Sequence, residues 1–272
     1  MAQPYRVTSS GSGRFIPASA PDRSGGSLDR VVGDPGRGRT ESIRRVLIEL
    51  AVADASPSTL AAVWSDEATA GVVVDAAEAH GLASTLHDRL AEEDLEVPDR
   101  LVELRRGATA RRLAARTSLL RVAEAFDAAG LPWLTCKGAV VAERPERPEH
   151  REFNDLDLLV PGARLGEAIE VAAAGGVESV NRNWAAIVEH GVGEIPLVDG
   201  SVWIDLHWDL IGLASIRRGF RIDADAMLAR RRRLDFHGYD VAVFYAVDEL
   251  LHLAVHAGLG GGGRLAWLRD LR

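Results

Sequence analysis

Apolar residues recur at helical spacing through the first half of the chain and at strand spacing in much of the second. Order is expected to begin near Glu41-Ser42-Ile43, where Val46, Leu47, Leu50 and Ala51 return every three or four positions, as on one face of a helix. Residues 57 to 95 read as further helices, with Ser58-Thr59 as a cap and Gly81 as a break. Val97-Pro98-Asp99 then opens a long helix, because proline is tolerated in a first turn. Its apolar stripe is Leu101, Leu104, Leu113, Leu119, Leu120, Val122 and Phe126, and it stops at Gly130-Leu131-Pro132.

The pattern then changes. Trp133 to Cys136 reads as a short buried strand, Lys137-Gly138 as a turn, and Ala139 to Ala142 as the start of a short helix. Arg144 to Glu149 is a charged, proline-containing loop, followed by a strand through Asp155 and Asp157 and a helix over about 163–174 ending at Gly175-Gly176. Glu178-Ser179-Val180 suggests another short strand. Residues 194–198 and 201–208 flank Asp199-Gly200, a dipeptide suited to hairpin turns. Pro196 cannot donate to a ladder, which favours a sheet edge for the first arm. Residues 222–234 and 247–258 read as helical.

The resulting fold class is α/β (α+β): a small mixed sheet with crossing helices, flanked by N- and C-terminal helical segments. The expected divisions are a tail over 1–40, a helical region over 41–128, the core over 129–215 and a helical region over 216–272. The tail is rich in Gly, Ser, Pro and Arg without a period, the composition of a disordered segment.

Composition narrows the function. The chain has 272 residues, 47% hydrophobic and 26% charged, with a formal net charge of −8. So acidic a chain is a poor match for a protein that coats DNA or RNA, although a local basic cleft stays open. Cys136 is the single cysteine, which rules out a disulfide framework and a cysteine-rich zinc site. No apolar run is long enough for a bilayer, and the N-terminus lacks the pattern of a secretory signal. The expectation is a soluble cytoplasmic protein with no membrane partner.

The chemistry concentrates at Asn154-Asp155-Leu156-Asp157-Leu158-Leu159-Val160. Strand side chains alternate, so Asp155 and Asp157 share a face while Leu156, Leu158 and Val160 take the other. Like charges that close repel, and a divalent cation is the simplest remedy. Val202 to Trp208 supplies a third aspartate, Asp205, in an apolar frame. Three strand-borne carboxylates suggest a magnesium site for phosphoryl or nucleotidyl transfer.

The ordered set is Lys137-Gly138, Arg151, Asp155-Leu-Asp157, Ile204-Asp205-Leu-His207-Trp208 and Arg264-Leu-Ala-Trp267-Leu-Arg-Asp270. Over roughly residues 100–272 it resembles the uncharacterised nucleotidyltransferase family of the polymerase-β-like superfamily. The resemblance implies a magnesium-dependent enzyme, with manganese as an alternative, that moves a nucleoside monophosphate from a nucleoside triphosphate to an acceptor. It implies that Asp155, Asp157 and Asp205 are the catalytic metal ligands. Lys137 and Gly138 would meet phosphate; Arg151 would reach the γ-phosphate or pair with Asp157. His207 would orient Asp205 or touch the acceptor, and His190 would have a lesser phosphate role. The superfamily's usual Gly-Ser is Gly138-Ala139 here, which removes a hydroxyl contact. The family continues past the position of Asp270, so the resemblance implies either a short natural protein or a truncated C-terminal region.

Other readings compete. A catalytically degenerate nucleotide-binding or regulatory protein on the same fold fits the missing serine, and a metal-dependent phosphohydrolase would use the same carboxylates. Trp203 and Trp208 read as packing rather than base-stacking residues. His252 and His256, one turn apart, read as packing or acceptor-side residues rather than zinc ligands. Arg230 to Arg233 reads as a solvated face at a helix end. Gly258 to Gly263 lacks the P-loop ending and reads as a connection between helices. Small-molecule and peptide acceptors both fit, and the residues do not choose between them.

Overall fold

The computed structural model describes residues 37–52, 55–143 and 150–271. The expected tail lies outside them except for its last four residues, which already belong to the first helix. The loop Arg144 to Glu149 also lies outside the described residues.

The first half is helical, as its spacing requires: α1 is Arg37–Val52, α2 Pro57–Trp64, α3 Glu67–Ala79, α4 Ala83–Glu92 and α5 Asp99–Ala128. The cap of α2 is Ser56 rather than Ser58-Thr59; its hydroxyl accepts from the Thr59 amide at 3.3 Å, and Pro57 takes the first helical position. Gly81 separates α3 from α4 with φ of +69°. Helix α5 has 30 residues, which at 1.5 Å each makes it about 45 Å long. That length lets one end close the N-terminal bundle while the other lies on the sheet. Leu101 belongs to the bundle core with Ile43, Leu47, Leu60 and Leu86, whereas Leu119, Val122 and Phe126 belong to the sheet core. Leu113, between the two, is 59% exposed and leaves the expected stripe.

The second half builds a mixed seven-stranded sheet. Its strands are β1 Leu134–Thr135, β2 Asp155–Leu159, β3 Glu178–Ser179, β4 Glu194–Asp199, β5 Val202–His207, β6 Arg232–Phe236 and β7 Tyr239–Val243, in the order β3-β4-β5-β2-β1-β7-β6. β2 runs parallel to β5 and β1 parallel to β7; the other neighbours are antiparallel. The intervening helices are α6 Leu165–Ala174, α7 Trp184–Glu189, α8 Ala214–Arg217, α9 Ala224–Ala229, α10 Ala246–Leu259 and α11 Leu265–Asp270. On one face Leu156, Leu158, Ile204 and Leu206 pack with α5 and α6. Strand alternation therefore turns the aspartates of β2 and β5 to the opposite face.

Two expectations need correction. The hairpin β6–β7 was expected to be helix up to residue 234. Charged Arg232, Arg233 and Asp235 hide its alternation, and its turn is His237-Gly238, both at positive φ (+56° and +84°), the geometry of the tight turns that join paired strands. Nor is β4 an edge, because β3 pairs with its Leu197 and Val198. Pro196 is tolerated because β3 is only two residues long; beyond it, the Pro196 carbonyl simply accepts from the Val180 amide at 3.2 Å.

The C-terminal helix α11 fastens the halves. Leu265 and Ala266 enter the N-terminal core. Arg269 donates to the Thr85 hydroxyl at 3.0 Å and to the His150 carbonyl at 3.1 Å.

Candidate active site

The register places the acidic residues together. Asp157 lies directly beside Asp205 on the neighbouring parallel strand, and Asp155 beside Trp203 one step earlier. Asp157 is 1% exposed, and Asp205 and His207 are also buried. One oxygen each from Asp157 and Asp205 and a ring nitrogen of His207 lie within 4.8 Å of one another, a spacing that could hold a metal ion. Asp155 shares their face but stands outside that trio.

Lys137 approaches from the turn after β1. Its Nζ is 2.6 Å from Asp157 Oδ2, while His207 Nε2 is 3.1 Å from Asp157 Oδ1. The Cys136 amide donates to the Asp157 carbonyl at 2.9 Å, which holds the Lys137 turn against β2. Gly138 has φ of +65°. A Cβ there would come within 3.1 Å of the Asp155 carbonyl oxygen, so the left-handed backbone favours glycine and a side chain would crowd that carbonyl.

Burial and mutual repulsion shift the titrating groups of this centre. Burial raises the Asp205 carboxyl, and repulsion by Asp157, Asp155 and Glu194 adds to it, bringing its pKa to about 6. Burial also works against the charged Asp157, but Lys137 and His207 outweigh it and hold that carboxyl well below the usual range. Burial disfavours protonation of His207, yet Glu194 and Asp157 overcome it and raise the ring to about 9. Lys137 is likewise raised against burial, by Asp157 and Asp155. Asp157 and Asp205, with Asp155 on the same face, are thus gathered within reach of Lys137 and His207. The hard oxygen donors fit a divalent cation.

The remaining expected residues go elsewhere. Arg151 does not pair with Asp157; it makes a bidentate ion pair with Asp270 of α11, at 2.6 and 2.7 Å. His190 is exposed at the end of α7, its Nδ1 2.6 Å from the Ala186 carbonyl oxygen, apart from the bonds that surround Asp157. Of the basic run, Arg230 pairs with Asp248 of α10, while Arg232 and Arg233 lie on β6 rather than at a helix end.

One residue of the centre, Glu194, escaped sequence reasoning, and His252, read there as a packing or acceptor-side residue, proves to be buried. Glu194 Oε2 is 3.1 Å from His207 Nδ1. Counting back from the hairpin turn, where Asp199 faces Val202, would have placed Glu194 opposite His207. His252 is buried on α10 with its ring 5.3 Å from that of Phe244. Burial, with Lys137 and His256 nearby, lowers its pKa to about 3, so it is neutral.

A family model described as an uncharacterised nucleotidyltransferase matches residues 66–272. The chain belongs to the uncharacterised nucleotidyltransferase family. The match takes in three helices of the N-terminal bundle as well as the sheet, so this nucleotidyltransferase family spans both halves of the fold. No curated protein matches the chain.

Proposed function

We propose that the chain is a magnesium-dependent nucleotidyltransferase that moves a nucleoside monophosphate from a nucleoside triphosphate to an acceptor hydroxyl and releases pyrophosphate. The observation that carries this reading is the side-by-side placement of Asp157 and Asp205, with the Lys137-Gly138 turn next to them. Asp157 and Asp205, with Asp155 on the same face, are the residues that would hold the ion; manganese has the same preference for oxygen. The ion would neutralise charge on the triphosphate and on the attacking and leaving oxygens.

The chain's own residues would do the rest. Gly138 lets backbone come close to a phosphate, and Lys137 brings a cation. His207, held between Asp157 and Glu194, fixes the orientation of Asp157. Asp205, next to Asp157 on the neighbouring strand, is the carboxylate placed to take the acceptor proton. The acceptor oxygen bonds to the α-phosphorus, the bond to the bridging oxygen breaks, and pyrophosphate leaves with that electron pair. Arg151 acts through α11, by fixing the entry to β2, and His190 has at most an outer phosphate role.

The test is pyrophosphate release from magnesium–NTP across an acceptor panel, comparing wild type with Asp205→Asn. Release that needs magnesium and disappears in the variant supports the reading; release unchanged in the variant sinks it. A nucleotide-binding protein without turnover is the second reading. It is favoured by the Lys137–Asp157 ion pair, which engages an oxygen that a metal ligand would use. It expects magnesium–NTP binding with no pyrophosphate from any acceptor.

A further inference from the structure

Trp203 is 43% exposed, whereas Trp133 is 1% exposed in the core. An indole left open on a strand whose neighbouring positions are buried invites a reason. The ladder gives its surroundings: across the sheet, Glu178, Val198, Trp203 and Asp155 form one row, and Pro196, Asp205 and Asp157 the next. Residues directly opposite in a ladder share a face, so Trp203 stands on the face of the acidic centre. Pro196 and Val198 continue it as an apolar ledge across β4. The Glu178 carboxylate closes its outer end, and these rows contain no lysine or arginine.

The ledge also has a side. The Lys137-Gly138 turn follows β1, beyond β2, while the ledge lies beyond β5. Displacement at phosphorus is in line, with the attacking and leaving oxygens on opposite sides. If pyrophosphate departs towards Lys137 and Gly138, the acceptor comes from the side of Trp203.

We propose that the Trp203–Val198–Pro196 ledge is the acceptor subsite and that it takes a flat, amine-bearing alcohol rather than a phosphorylated or nucleic-acid acceptor. This deepens the transfer reading and rests on it. An aromatic face attracts a cation, most strongly at tryptophan, and the Glu178 carboxylate adds to that attraction. The same carboxylate repels an anionic acceptor. The hydroxyl attacks the α-phosphorus, its proton passes to Asp205, and the ammonium group stays at the ledge.

The test uses the full chain and two matched pairs of probes: tyramine with 4-hydroxyphenylacetate, and serotonin with 5-hydroxyindole-3-acetate. Calorimetry should show each amine binding at least about tenfold more tightly than its carboxylate partner. Trp203→Ala should weaken amine binding about tenfold, Trp203→Phe by no more than about threefold, and Glu178→Gln by a few-fold at most. Magnesium–ATP is titrated into the same proteins as a control, and Trp203→Ala should bind it as wild type does. The proposal is overturned if wild type binds neither amine, if the carboxylates bind equally well, or if Trp203→Ala binds amines unchanged. Amine binding at Trp203 without any nucleotide binding would overturn the transfer reading and, with it, the acceptor role. Nucleotide binding without amine binding would overturn the ledge alone.

Discussion

Two ionic groups among the described residues differ in how the fold treats their carboxylates. Around α11, Arg151 meets Asp270 in a two-toothed ion pair, and Arg269 spreads its donors over Thr85 and the carbonyls of His150 and Leu50. Donors there find acceptors in a fixed geometry, and the result is a joint between the bundle and the sheet. Around Asp157, burial first and then the neighbouring carboxylates raise the Asp205 carboxyl to about 6. Buried charge alone therefore does not mark a site. A carboxyl that the fold keeps from ionising, set beside other carboxylates, is the better candidate.

The sharpest way to break the comparison is to neutralise one residue on each side. Asp205→Asn should lower nucleotidyl transfer by about 10²- to 10⁴-fold. The same change should raise the stability of the metal-free protein by about 1–3 kcal/mol, since it removes a carboxylate that its neighbours repel. Its charged form is disfavoured by the fold, so the penalty is present above about pH 6 and is relieved as pH falls. Asp270→Ala should do the reverse: it leaves the partly buried Arg151 without its bidentate partner and lowers stability by about 1–3 kcal/mol. Chemical denaturation of both variants without metal reads the two signs, and a loss of stability in Asp205→Asn would contradict the cost assigned to its charge.

Smaller effects sharpen it. Gly138→Ala should destabilise by about 1–2 kcal/mol through its left-handed backbone, and crowding against the Asp155 carbonyl should weaken magnesium–NTP binding, which calorimetry reads. Magnesium affinity should fall up to about tenfold per pH unit below about pH 6, because Asp205 must lose its proton to bind. A flat profile between pH 7 and 5 would remove Asp205 from the ligand set. His252, neutral in the fold with its pKa lowered to about 3, contributes stability above pH 6.5 that is lost as pH falls. The loss should be about 1 kcal/mol between pH 6.5 and 5.5, and absent from that residue in His252→Phe.

Much of this was legible in the sequence because local rules decide it. The helices α1 to α5 follow their apolar period, and the Asp155/Asp157 alternation turns both aspartates to one face of β2. The Asp199-Gly200 turn fixes a hairpin and, through it, the position of Asp205. What the sequence hid depends on contacts between distant segments. Arg151 could not be assigned to Asp270, because 119 positions separate them. The β6–β7 hairpin was masked by arginines whose neighbours come from other elements, such as Asp127 of α5 for Arg233. Trp203 reads as a packing residue in one dimension; only the absence of a covering layer among the described residues makes it a surface.

The most direct test of the central claim is calorimetric titration of ATP and the other nucleoside triphosphates, with and without magnesium, into wild type and the Asp157→Asn/Asp205→Asn variant. The account predicts binding that needs magnesium in wild type and is lost in the variant while the variant stays folded. Equal binding by both proteins, or binding indifferent to magnesium, would contradict it.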